Sequence, residues 1–194
     1  NRLKNEVLTA VREQDPERIV FVPAMGWQDY NYIKYARVAE EDPNAVVSFH
    51  YYLPMLLSHY KMLAWVGYQG AVQYPQYASF HKTTYNADRI MGEMSNAASD
   101  GRNAGLAVHC GEFGCSKNVA EAMRLAWFTD MVAAMEANNI PWTLWECLDG
   151  GFEFVDMEYG IYRINCPLLK VLTGKELTDA EAKALLQKYG FKTE

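Results

Sequence analysis

The 194-residue sequence predicts an α/β fold built on a parallel sheet of four strands. Two observations carry that expectation. Short apolar, β-branched runs alternate with longer segments of helical periodicity, an order that implies parallel strands joined by right-handed crossovers. The residues with chemistry to offer, Trp27, His50, Tyr52, Glu112 and Trp145, all fall at the carboxyl ends of those runs. In parallel sheets that edge is where sites collect.

The elements follow in order. Residues 1–14 put Leu3, Val7, Leu8 and Val11 on one helical face, and Asp15-Pro16 stops that helix. Ile19 to Val22 reads as the first strand, closed by Pro23, with Trp27 beyond its end. A Tyr-rich helical segment leads to Asp42-Pro43-Asn44, and Ala45 to Tyr52 makes the second strand, ending in His50-Tyr51-Tyr52. Leu53 to Lys82, with Trp65, Tyr68, Tyr74 and Pro75, reads as a long aromatic loop, a kind of segment that tends to carry function.

Thr84 to Asp100 is helical, with Ile90, Met94 and Ala97 in step. The third strand is small and apolar and delivers Glu112 between Gly111 and Gly114, which let the backbone turn sharply beside the carboxylate. Asn118 and Glu121 resemble a capping box for a helix buried through Leu125, Phe128, Val132 and Met135. Pro141 to Leu148 gives the fourth strand, with Trp145 and Glu146 near its end. A glycine-bearing acidic loop follows from Asp149 to Gly160, in which Glu153 and Asp156 read as solvated charge. Two closing helices, Pro167–Leu172 and Thr178–Tyr189, complete the chain, the second opened by Thr178 and Glu181 as a capping box.

Composition narrows the classes. Half of the residues are hydrophobic, yet no apolar run approaches the ~20 residues that span a bilayer, so no membrane partner is expected. A net charge of −6 without a Lys/Arg cluster argues against nucleic acid. Cys110, Cys115, Cys147 and Cys166 have no paired CxxC spacing. His109 and Cys110 are neighbours on a strand and point to opposite faces, so no metal site is expected, and no cofactor. The chain opens at Asn1 rather than Met, from which a processed or trimmed product is expected.

A carboxylate flanked by a His and a Tyr, with indole faces nearby, suits attack on an anomeric carbon. The plainer reading of His50 and Tyr52 is a hydrogen-bonded pair that serves packing only. For Glu112 it is a helix cap or an ion pair.

Three ordered segments weight the choice: Val47-Ser48-Phe49-His50-Tyr51-Tyr52, His109-Cys110-Gly111-Glu112-Phe113-Gly114, and Pro141-Trp142-Thr143-Leu144-Trp145-Glu146. Together they resemble the last strands of glycoside hydrolase family 5, over nearly the whole chain to about Leu172. The resemblance implies a (β/α)4 half of a TIM (β/α)8 barrel, its strands equivalent to strands five to eight, so that residues 1–194 form one half-barrel fragment of a catalytic domain. It implies a retaining hydrolase of β-1,4-glucan or a similar β-linked oligosaccharide, secreted from the cell. Glu112 maps onto the nucleophile, His50 and Tyr52 onto the residues that orient it, and Trp145 onto the strand-eight tryptophan. Trp27 resembles a cleft aromatic after strand five more loosely, and the loop with Trp65, Tyr68 and Tyr74-Pro75 resembles the aromatic rim of the family's glucanases. The family's acid/base Glu follows an Asn at the end of strand four. Here the one Asn-Glu pair before the first strand, Asn5-Glu6, lies inside a helical pattern.

The resemblance therefore leaves three expectations open: a fragment whose other half-barrel is absent, a half-barrel closed by dimerisation, and a sugar-binding half-barrel without turnover. An open four-stranded sheet has exposed edges, which proteins avoid leaving unpaired, and a two-fold dimer would pair them. In such a dimer Glu146 would approach the acid/base position.

Overall fold

A computed structural model describes residues 2–38, 42–62, 72–78, 83–148 and 150–194. In chain order the elements are α1 (Arg2–Gln14), β1 (Val20–Pro23), a short turn α2 (Met25–Gln28), a 3-10 helix (Tyr30–Tyr35), β2 (Ala45–Tyr51), α3 (Met55–Ser58), β3 (Gln76–Ala78), β4 (Thr83–Tyr85) and α4 (Ala87–Ala104). There follow β5 (Ala107–Phe113), α5 (Glu121–Ala137), β6 (Trp142–Leu144), β7 (Val155–Glu158), β8 (Ile161–Ile164), α6 (Cys166–Thr173) and α7 (Asp179–Lys188). The chain divides into two compact units: Asn1–Tyr51 with Met91–Phe113 and Ala134–Thr143, and Tyr52–Ile90 with Gly114–Ala133 and Leu144–Glu194.

The first unit holds the sheet, in strand order β1-β2-β5-β6. β1 pairs with β2 and β2 with β5, both in parallel, as the alternation of runs requires. Along β2 the side chains of Val47, Phe49 and Tyr51 are buried. The Tyr51 hydroxyl donates to the buried Glu93 carboxylate of α4 at 2.6 Å, which satisfies an acid that burial would otherwise penalise. Gly101 of α4 lies where any side chain would strike Val108, so helix and strand approach closely. The paired residues Arg12 and Asp42, at 2.9 and 3.1 Å, tie α1 to the start of β2. On α1 the expected stripe is only partly realised: Leu8 is buried, while Leu3 and Val7 stand in solvent. On the other face of the sheet, Phe21 packs its ring 4.8 Å from that of His109, and His109 Nε2 lies 3.1 Å from the Thr143 hydroxyl. Ile19 and Phe21 remain 61% and 54% exposed there, a large apolar exposure for a strand.

The second unit is organised by α5, whose Trp127, Phe128 and Met131 are fully buried. The indole of Trp127 donates to the Leu53 carbonyl at 3.0 Å. Asn118 is not the cap of α5; the carbonyl of Ala120 accepts the first amides, from Met123 and Arg124. The stretch read as one long loop contains α3 and β3, and β3 pairs antiparallel with β4 just beyond it, Gln76 opposite Tyr85, so that Thr84 and Tyr85, read as the start of a helix, belong to a strand. The acidic loop likewise closes into a β7–β8 hairpin, with Tyr159 and Gly160 at φ +50° and +77° making its two-residue turn. Asn165 caps α6, and Thr178 and Glu181 form the capping box of α7. The fourth strand is shorter than its apolar run, so Trp145 and Glu146 lie just past it.

Candidate functional site

Within the first unit the carboxyl ends of β2 and β5 meet through an irregularity. Phe49 pairs with Cys110, but the next residue, His50, pairs with Glu112, so Gly111 is an extra residue in β5. Such a bulge re-aims the side chain beyond it. Gly111 has no room for a Cβ, which would collide with the Ser48 hydroxyl. The result is that Glu112 and His50 face one another, with His50 Nδ1 3.3 Å from Glu112 Oε2 and both side chains part-buried. Burial pushes the imidazole below its ordinary value and outweighs the pull of the Glu112 charge upward. His50 is therefore a neutral partner at neutral pH, able to hold a proton toward the carboxylate.

The crossover after β1 arrives at the same place. The Ala24 amide donates to the Ser48 carbonyl at 2.8 Å, and Asp29 makes a backbone bridge to His50. Between them Gly26, Trp27 and Gln28 all adopt the left-handed conformation, with φ of 63°, 63° and 61°. Trp27 stands 98% exposed. The Asp29 carboxylate accepts from the Asn31 amide at 2.8 Å and starts the 3-10 helix.

The other expected site residues described belong to the second unit. The Tyr52 ring packs 4.9 Å from that of His59 and 5.7 Å from that of Phe152. The Ser58 hydroxyl lies 2.9 Å from His59 Nδ1, and burial lowers the pKa of His59. Trp145 is half-exposed, and its carbonyl lies where a side chain at Gly114 would stand. The Glu146 carboxylate occupies the space that a Cβ at Gly150 would need. Trp65 and Tyr68 lie outside the described residues. Tyr74 is within them, donating to Asp130 at 2.6 Å.

The reading of Glu153 as solvated charge is overturned. It is 2% exposed, ion-paired with Lys117 and bonded by the Gly151 amide. Burial alone would raise its pKa, but Lys117 and the amide bonds bring it below the ordinary carboxylate range. Beside it the buried Arg124 donates to the carbonyls of Cys115, Phe152 and Glu153 at 2.7–2.9 Å. The segment after Trp145-Glu146 is thus pinned to α5 by charge, which the local acidity of the sequence did not reveal. Asp156, also read as solvated, lies half-buried in β7. His59 and the bulge at Gly111 were likewise not legible, since neither has a periodic signature. Among the described residues no group of three or more His, Cys, Asp or Glu is placed to hold a metal ion.

A parallel α/β sheet with a carboxylate and an imidazole paired at its carboxyl edge has its chemistry where α/β enzymes collect their sites. Residues 1–151 match the family model for cellulase, glycosyl hydrolase family 5, and the chain belongs to that family. It is 25% identical over 175 residues to Endoglucanase C of Acetivibrio thermocellus, covering 79% of this chain and 50% of the relative. To Endoglucanase H of the same organism it is 22% identical over 160 residues, 82% of this chain and 16% of the relative. Among solved structures, a hyperthermophilic endo-β-1,4-glucanase in complex with substrate superposes with a TM-score of 0.71 at 24% identity, over 87% of this chain and 52% of the other. The structural likeness bears on the fold. The chain spans half or less of the length of these curated relatives.

Proposed function

We propose that this chain supplies the nucleophile side of a retaining β-1,4-glucan hydrolase, with Glu112 attacking the anomeric carbon. The observation that carries this reading is the pairing of Glu112 with His50 at the edge where the β5 bulge turns them together. In a retaining reaction the carboxylate displaces the leaving group to form a glycosyl-enzyme, which water then hydrolyses. His50, with Nδ1 3.3 Å from Glu112 Oε2, holds the carboxylate in place for that attack. The family resemblance gives Tyr52 the role of orienting the nucleophile and Trp145, Trp27 and Trp65 that of stacking on sugar rings, whose apolar faces suit indoles. The leaving oxygen needs a proton from a second acid. On this reading the acid comes from strands that complete the sheet, either a preceding half-barrel or a second copy whose Glu146 approaches Glu112. Exposed Ile19 and Phe21, and the position of β1 and β6 as the edge strands of the sheet among the described residues, support such completion.

One observation favours a second reading, sugar binding without turnover. Glu6, of the Asn5-Glu6 pair, sits on α1 and pairs with Arg2 at 3.6 Å as an ordinary exposed helix pair. The test separates the two. A 2-deoxy-2-fluoro cellobioside with a strongly acidic leaving group needs little protonation to depart, so Glu112 alone suffices to trap it. We expect a stoichiometric covalent adduct on Glu112 by intact mass and peptide mapping, and none on the Glu112→Gln chain. Absence of an adduct in both sinks the nucleophile assignment and leaves the binding reading.

A further inference from the structure

We propose that Tyr32, Tyr35 and Arg37 form a distal subsite that takes a sugar ring of the same β-linked chain beyond Trp27. The inference rests on the carbohydrate reading above and extends it along the polymer. Four features of the first unit support it. The segment is continuous with the site, because Asp29 bridges to His50 and the 3-10 helix that carries the tyrosines begins at the next residue. The turn that carries Trp27 rests on Tyr32: an added Cβ at Gly26 would meet the ring at 2.9 Å. Trp27 and Tyr32 are thereby held as parts of one surface. The Tyr32 and Tyr35 rings lie 6.0 Å apart at 51°, and with Met25 and Arg37 they line an open groove of about 560 Å³. Finally, Arg37 is fixed in the groove, its Nη1 donating to the carbonyls of Lys34 and Ala36 at 2.9 and 2.6 Å.

The chemistry of the lining selects the ligand. A pyranose presents an axial C–H face to a ring and hydroxyls at its rim, so it suits exposed tyrosines beside a fixed guanidinium. A protein anchor would ask for a wider, drier apolar patch. Two successive non-glycine residues in the left-handed region, Trp27 and Gln28, are costly, and backbone of that kind clusters at ligand-binding positions.

Calorimetry with cellotriose and cellohexaose on the Glu112→Gln chain, which cannot turn the ligand over, tests the subsite. On this placement cellohexaose has rings to reach the groove that cellotriose lacks, so we expect it to bind more tightly. We expect Tyr32→Ala/Tyr35→Ala to remove roughly tenfold of that advantage, the size of one aromatic contact, and Tyr35→Phe to keep most of it. Tyr189→Ala, at an exposed tyrosine of the second unit, serves as the control. A length advantage unchanged in the folded double variant overturns the subsite and spares the carbohydrate reading. Binding of neither ligand overturns both. Binding with a lost length advantage, but no adduct in the trapping experiment, supports the subsite and removes turnover alone.

Discussion

His50 Nδ1 lies 3.3 Å from Glu112 Oε2 because one residue, Gly111, is inserted in β5 ahead of the acid. Without the bulge, strict alternation would put Glu112 on the same side as the buried Cys110, away from His50. The bulge in turn depends on a missing side chain, since a Cβ at Gly111 would collide with the Ser48 hydroxyl. Gly111→Ala is expected to destabilise the chain by about 1–3 kcal/mol, the usual range for overpacking. Ser48→Ala in the same chain is expected to recover part of the loss. A double-mutant cycle from urea unfolding checks this, and additive effects would show that the hydroxyl is not the obstacle.

Burial holds three imidazoles, His50, His59 and His109, below their ordinary value, with Glu112 opposing the shift only at His50. Each takes up a proton more readily in the unfolded chain. The stability they contribute is complete above about pH 6.5, the unfolded value, and is lost as pH falls toward their folded values. A second loss is expected at lower pH. Asp42 and Glu153 are depressed below the carboxylate range because their partners, Arg12 and Lys117, outweigh the penalty of burial. Thermal unfolding from pH 8 to pH 3 is expected to show two falling steps. A flat profile between pH 7 and pH 5 would contradict the histidine assignment.

Glu153 and Arg124 mark where the sequence stops being readable. The buried stripe of α4 is legible because Ile90, Met94 and Ala97 recur at helical period, each at most 1% exposed, and the strands because short apolar, β-branched runs alternate with such segments. His50 and Glu112 are legible as strand-end residues for the same reason. Glu153, however, stands in a run of acids and glycines that has the composition of a solvated loop, and its burial depends on Lys117 and Arg124, about 30 residues earlier in the chain. Long-range pairing of that sort leaves no local pattern. Arg124→Met would leave carbonyls of Cys115, Phe152 and Glu153 without the donor they now have, at about 1–3 kcal/mol for each group left unsatisfied. Lys117→Met would strip Glu153 of its cation, a loss of about 3–5 kcal/mol when one partner of a buried pair is removed, discounted here because Lys117 itself is 46% exposed. Denaturant midpoints are expected to fall more for Arg124→Met than for Lys117→Met.

The left-handed turn at Trp27 gives the last prediction. Residues with a Cβ pay about 1–2 kcal/mol to enter that region, Asn pays less, and β-branched residues pay most. Gln28, at φ 61°, follows Trp27 and is half-exposed, so its conformation, rather than lost packing, should dominate the effect of substitution. Gln28→Asn is expected to raise the unfolding midpoint slightly and Gln28→Val to lower it, a spread of about 1–2 kcal/mol between the two. If the turn exists to hold Trp27 out toward a sugar, the stability order should also be the affinity order for cellohexaose. Asn would preserve the posture that Val resists. Equal stability of the two variants would mean that the turn relaxes out of the left-handed region at little cost, and that Trp27 is not held by its backbone.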